Sequence, residues 1–81
     1  MYELKLTEHR GQIVADSRDV ARAIGKEHFN LMRSINMYRK HLSQFKNDFA
    51  KFFIPATYID DQGKERPCYY LTRMGCDMVA N

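Results

Sequence analysis

An α+β fold is expected for this 81-residue chain, and three features carry the expectation. The stretch from Ser17 to Ile35 reads as a short helix, a glycine-containing turn and a second helix. Leu31, Ile35, Tyr38, Leu42 and Phe45 recur at spacings of four, three, four and three, a single apolar stripe down that second helix. Two strand-like runs, Phe53–Ile59 and Pro67–Leu71, then flank a polar turn from Asp60 to Lys64. A helix-turn-helix followed by a β-hairpin is the order of a winged helix-turn-helix. Here an N-terminal hairpin precedes it and a C-terminal helix follows.

At the N-terminus, Tyr2–Leu6 alternates apolar and polar residues, Thr7–Gly11 reads as a turn, and Gln12–Ala15 resumes an apolar run. That pattern predicts the first hairpin. Asp16 or Ser17 is the expected cap of the first helix, and Asp19 brings a negative charge to its first turn, where the helix dipole favours it. Val20 and Ile24 lie one turn apart, and Ala21 is small where two helices must approach. Gly25 supplies the left-handed residue that ends the helix.

In the second helix, Ile35 continues the register set by Leu31 and leaves Ser34 at the edge of the stripe. The opposite face carries Phe29, Asn30, Arg33, Asn36, Met37, Lys40 and Gln44, with His28 and Arg39 on one flank. The segment from Asn47 to Phe53 is a polar-aromatic connection that can extend the helix. Pro55 and Pro67 donate nothing to a ladder and belong at edge positions. Tyr69 and Tyr70 point to opposite faces of their strand, one inward and one outward. Thr72 reads as the cap of a last helix, Arg73–Asn81, which contains Gly75 and has no stop signal.

The length allows one domain, residues 1–81, burying about 60% of its unfolded surface. No apolar run approaches the roughly 18 residues of a membrane span, and Met1–Lys5 lacks the layout of a signal peptide. A cytoplasmic location follows. Cys68 and Cys76 are too few for a disulfide framework or a four-ligand zinc site, and both read as small core or half-buried side chains. His9, His28 and His41 are scattered, so no metal or other cofactor is expected. Cys76, Asp77 and His28 have no spacing that would assemble a nucleophile, orienter and base. Without a glycine-rich phosphate loop or paired acids, the chain does not read as an enzyme.

Net charge is +3, but residues 17 to 51 hold eight Lys/Arg against three acids, while the remainder holds five against seven. Basic charge gathered on the two-helix segment suits a nucleic-acid footprint. Asn pairs bidentately with adenine and Arg with guanine, which makes Asn30, Arg33 and Asn36 candidates for reading base edges. His28, at the start of the second helix, can face a phosphate or a base, or pack at the edge of the stripe. Ser17, Arg18, Lys26, Arg39 and Lys40 are candidate phosphate contacts. Lys64 and Arg66 sit near the tip of the expected wing, alongside Asp60, Asp61 and Glu65.

Two blocks of this sequence resemble a known family. Ser17-Arg18-Asp19-Val20-Ala21, with Lys26-x-His28-x-Asn30-Leu31, is similar to the N-terminal signature of the Rha family of temperate-phage regulatory proteins. Tyr58 to Gly75, with its Tyr, a Gly followed by a base, a Pro, a Tyr, and Leu71-Thr72 ahead of a Gly, resembles that family's second block. The resemblance covers roughly residues 12 to 80. It implies a small α+β DNA-binding module, encoded by a phage or prophage and acting in the bacterial host on regulation of the phage cycle. Related phage modules are fused to further domains and can act as antirepressors. The family usually carries an aromatic residue where this chain has Cys76, and its domain normally continues further, as expected if residues 1–81 are the N-terminal part of a longer protein.

Double-stranded DNA is therefore the expected partner, bound as a homodimer if the protein follows the habit of such motifs to read paired half-sites. The alternative is a protein-interaction module that binds a repressor or host factor through Phe29, Met37 and the hairpin.

Overall fold

The computed structural model describes residues 4–42 and 48–80. Strand β1 (Thr7–His9) turns into β2 (Gln12–Asp16), which leads directly into α1 (Ser17–Ala23). Helices α2 (His28–Leu42) and α3 (Asp48–Phe52) follow. Strands β3 (Phe53–Ile59) and β4 (Glu65–Leu71) form the second hairpin, and α4 (Arg73–Ala80) ends the described chain. The order of elements follows the expectation, and the architecture is α+β.

The first hairpin departs from its expected position. Arg10 and Gly11 both have positive φ (52° and 83°), the signature of a two-residue turn whose twist matches the flanking strands. Thr7–His9 is therefore strand rather than turn, paired Thr7 with Val14 and His9 with Gln12. Leu4–Leu6 lies outside any strand, and Tyr2 and Glu3 fall outside the described residues.

The two hairpins join into one antiparallel sheet of order β1-β2-β4-β3. Only Ala15 and Asp16 of β2 pair with β4, opposite Leu71 and Tyr70. The ladder stops there because the chain turns into α1. Ser17 Oγ takes over as acceptor, receiving the Tyr69 N–H at 3.1 Å. Pro55 lies on the edge strand β3. Pro67 pairs with Thr57 on β3, in a part of β4 that β2 does not reach, so neither proline interrupts a ladder.

Asp16 is the cap of α1, its carboxylate accepting the Arg18 N–H at 2.8 Å. Gly25, at φ 71°, closes that helix: its own N–H reaches Arg22 O at 3.2 Å and the Lys26 N–H reaches Ala21 O at 2.8 Å. This is a Schellman closure, and it needs the left-handed residue. Val20 and Ala21 then face Leu31 and Ile35 of α2 across a buried seam, as the stripe predicts. Tyr38, the next residue of the stripe, is half-buried and stacks on Phe53, ring centroids 6.0 Å apart and planes 5° from parallel. Phe45 and the Leu42 side chain fall outside the described residues.

The run before β3 is helical from Asp48 to Phe52, as α3, and residues 43–47, which join it to α2 along the chain, fall outside the described residues. It brings Phe49 to 5.3 Å from Phe53 and to 5.7 Å from Tyr69. Tyr69 is the buried member of its pair, and Tyr70 lies half-buried against His9 at 5.0 Å. Cys68 is buried and Cys76 half-buried.

Thr72 fixes α4 to α3. Its N–H donates to Phe52 O at 3.0 Å and its hydroxyl donates to Lys51 O at 2.6 Å. The same hydroxyl oxygen accepts the Gly75 N–H at 3.3 Å, capping α4. Among the described residues, no helix is long and apolar enough to cross a membrane.

Candidate nucleic-acid interface

One face of α2 packs on the core and the other lies open. Leu31 and Ile35 are fully buried, whereas Asn30, Arg33, Asn36, Arg39 and Lys40 are exposed. Phe29 and Met37, 60% and 61% exposed, stand among them. Lys26, Asn30, Arg33, Ser34 and Met37 line a shallow groove along this face. The structure thus brings three amide and guanidinium side chains onto one open helix surface beside two apolar ones. Amides and guanidinium can read base edges, and the apolar pair suits thymine methyls. Arg39 lies toward α3, its guanidinium 5.8 Å from the Phe49 ring centroid.

Ser17 does not belong to that surface. It is fully buried, and its hydroxyl accepts the Tyr69 N–H while lying 2.9 Å from His28 Nε2 and 3.9 Å from Met32 Sδ. A phosphate contact there is ruled out by burial, and the side chain instead ties α1 to α2 and β4. His28 is accordingly half-buried, hydrogen-bonded to Ser17 and edge-on to Tyr58 at 6.1 Å. It packs at the edge of the stripe and is joined to the start of α1.

Burial pushes the His28 imidazole below its ordinary pKa of 6.5, with the Arg18 charge acting the same way and Asp16 opposing. The folded state therefore binds fewer protons than the unfolded chain as pH falls past that value. Stability contributed by neutral His28 is fully present above about pH 6.5 and is lost as pH drops toward the depressed folded pKa. Denaturant unfolding between pH 7.5 and 5 checks this: the wild type should lose stability across that window more than His28→Gln does. Equal slopes for the two proteins would show that His28 carries no such linkage.

Arg18 is held rather than free. Its Nε and Nη2 donate to the two Asp16 oxygens at 3.1 and 2.9 Å, and its guanidinium lies 4.0 Å over the Tyr58 ring centroid. Burial pushes the Asp16 carboxyl up, but the Arg18 hydrogen bonds and charge together hold it below the usual carboxylate range. Lys26 is exposed at the junction of the two helices.

At the second hairpin, Asp60 organises the tip. Its carboxylate accepts the Gln62 and Lys64 N–H groups, each at 2.9 Å, and Arg66 Nε at 2.8 Å. Arg66 is thus tied to the turn's own acid, which lowers the Asp60 carboxyl, while Lys64 is exposed. Arg66 stands opposite Tyr58 in the ladder, and directly opposed residues share a sheet face. Tyr58 itself reaches both helices, through Arg18 of α1 and His28 of α2.

Two residues of this region escape the sequence reading. Tyr58 is identified only by its contacts with Arg18 and His28 across 40 and 30 residues of chain. Arg22 has a sequence signal, because Arg18, Arg22 and Lys26 are spaced four apart, which puts Arg18 and Arg22 on one side of α1. Among the described residues, no group of three His, Cys, Asp or Glu side chains could hold a metal ion.

Comparison with known proteins agrees with the two-block resemblance. The family described as phage regulatory protein Rha matches residues 15–81. The chain is 45% identical over 78 residues to the SPbeta prophage-derived putative antirepressor protein YoqD of Bacillus subtilis (strain 168), an alignment covering 96% of this chain and 31% of that protein. It is 34% identical over 65 residues to an uncharacterized protein of Haemophilus influenzae, covering 79% of this chain and 36% of the relative. The chain thus spans about a third of the length of these relatives. No solved structure matches it significantly. The match across residues 15–81 takes in both helices of the pair, the second hairpin and α4, and on that ground the chain belongs to the phage regulatory protein Rha family.

Proposed function

We propose that this chain is the DNA-binding module of a phage or prophage regulator, a winged helix-turn-helix acting without catalysis in the cytoplasm of the bacterial host. In this reading α2 is the recognition helix and enters the major groove. Asn30, Arg33 and Asn36 contact base edges, each good bidentate pair contributing about 1–3 kcal/mol of discrimination. Arg18, Lys26, Arg39 and Lys40 contact phosphates, and the β3–β4 hairpin is the wing, offering Lys64 and Arg66. Two modules read the half-sites of one operator as a dimer. The observation that carries the reading is the open face of α2, where amides, bases and apolar side chains lie side by side on a helix whose other face is anchored in the core.

A second reading draws on the antirepressor named among the relatives. Phe29 and Met37 would then be anchors for a repressor or other regulatory protein, and the surrounding charges would solvate the surface. Affinity for random duplex DNA across a salt series separates the two. The DNA reading predicts that log K falls steeply with log salt, by about 0.9 per phosphate contacted. It also predicts that Arg33→Ala with Lys40→Ala flattens the slope. Flat or absent binding by the wild type would favour the protein partner.

A further inference from the structure

A cleft of about 380 Å³ opens between α1, the start of α2 and β3, lined by Arg18, Arg22, Lys26, Glu27, His28 and Tyr58. Three cations face one carboxylate there, and His28 is biased toward its neutral form. The cations are not equivalent. Asp16 occupies the Nε–Nη2 side of Arg18 and Tyr58 covers one face of its guanidinium. Among the described residues no acceptor takes the Nη1–Nη2 edge, on a fork that is already oriented. A guanidinium fixed in this way suits the two oxygens of a phosphate group.

Arg22 is two-thirds exposed, and among the described residues its side chain has only a long 3.9 Å contact to Asp19. Lys26 has no side-chain hydrogen bond or ion pair among the described residues. Both are long, exposed side chains whose cations can reach an anion seated against Arg18. Lys26 also lines the groove along α2, so the cleft and the open face of that helix adjoin at this residue.

We infer that this cleft seats a phosphodiester of the duplex backbone, with Arg18 as the fixed fork, Arg22 and Lys26 as closing cations, and Tyr58 as the residue that positions Arg18. The inference rests on the reading of α2 as the DNA-reading helix and adds Arg22 and Tyr58 to the interface.

Duplex binding over a salt series is measured for the wild type, Arg22→Gln/Lys26→Gln, Tyr58→Leu and Tyr58→Phe. The double variant should bind all sequences more weakly, with a log–log salt slope shallower by about 1 for each cation removed. Tyr58→Leu removes no charge, so it should leave the slope intact while weakening binding about two- to fivefold, and Tyr58→Phe should restore it. A wild type that binds with a steep slope which the double variant leaves unchanged overturns the cleft while sparing α2. No salt-dependent binding by the wild type overturns both. In a parallel titration of labelled protein, inorganic phosphate that shifts the Arg22 and Tyr58 resonances when duplex DNA does not would mark a free-anion site and overturn the assignment to DNA.

Discussion

Phe53→Ala is expected to cost about 3–5 kcal/mol of unfolding free energy. Phe53 is fully buried at the first residue of β3, where three elements converge on it. Tyr38 of α2 stacks on its ring, Phe49 of α3 tilts against it at 5.3 Å, and Tyr69 of β4 meets it edge-on at 6.3 Å. Truncation removes the shared surface of all three and leaves a cavity that their backbones, fixed by sheet and helices, cannot close. A domain of this length has a total stability of roughly 4–12 kcal/mol. The loss is therefore a large share of the whole, and the variant should be partly unfolded at 37 °C. Urea unfolding followed by far-UV circular dichroism measures it. A loss below about 1 kcal/mol would show that the aromatic cluster is not the centre of the core.

The second large effect reverses an ordinary rule. Replacing glycine by alanine inside a helix normally stabilises by up to about 1 kcal/mol. Gly75→Ala should instead destabilise by about 1–2 kcal/mol, because overpacking at a position that cannot relax costs up to about 3 kcal/mol and outweighs that gain. A Cβ on Gly75 would run into the carbonyl oxygen of Phe52. That carbonyl cannot move aside, since it accepts the Thr72 N–H at 3.0 Å, the bond that docks α4 on α3. The glycine is thus required by the close approach of two helices, although its sequence context reads as a weak point in α4. Thermal unfolding of Gly75→Ala checks the sign, and a raised melting temperature would contradict the packing described.

What the sequence displayed and what it hid differ in kind. The α2 stripe was legible because helical periodicity is local: Leu31 and Ile35 need only their own spacing to declare a buried face, and Asn30, Arg33 and Asn36 follow as the open one. Strand β3 and the Asp60–Lys64 turn were legible for the same reason. Ser17 was not, because a serine at a helix start ordinarily meets solvent or phosphate. Its burial is imposed by the Tyr69 N–H, 52 residues away, which loses its ladder partner when β2 turns into a helix.

The first hairpin slipped by several residues because its turn depends on a positive φ at Arg10, which nothing in an arginine side chain announces. At the hairpin tip the residue types were read correctly, while the tie between Asp60 and Arg66 emerged only from the folded turn. The basic cleft shows both cases at once. Its Arg18–Arg22–Lys26 spacing is visible along the chain, but the aromatic that orients Arg18 arrives from β3.

Contact of α2 and the cleft beside it with duplex DNA is tested by mapping amide and side-chain resonances of labelled protein as a duplex is added. Shifts are expected to gather on Lys26, Asn30, Arg33 and Asn36, to extend to Arg22 and Tyr58, and to reach Lys64 on the hairpin. Leu4, Ile13 and Cys76, around the apolar cleft at the other end of the sheet, should stay still. Shifts confined to that cleft, or no shifts at all, would contradict it.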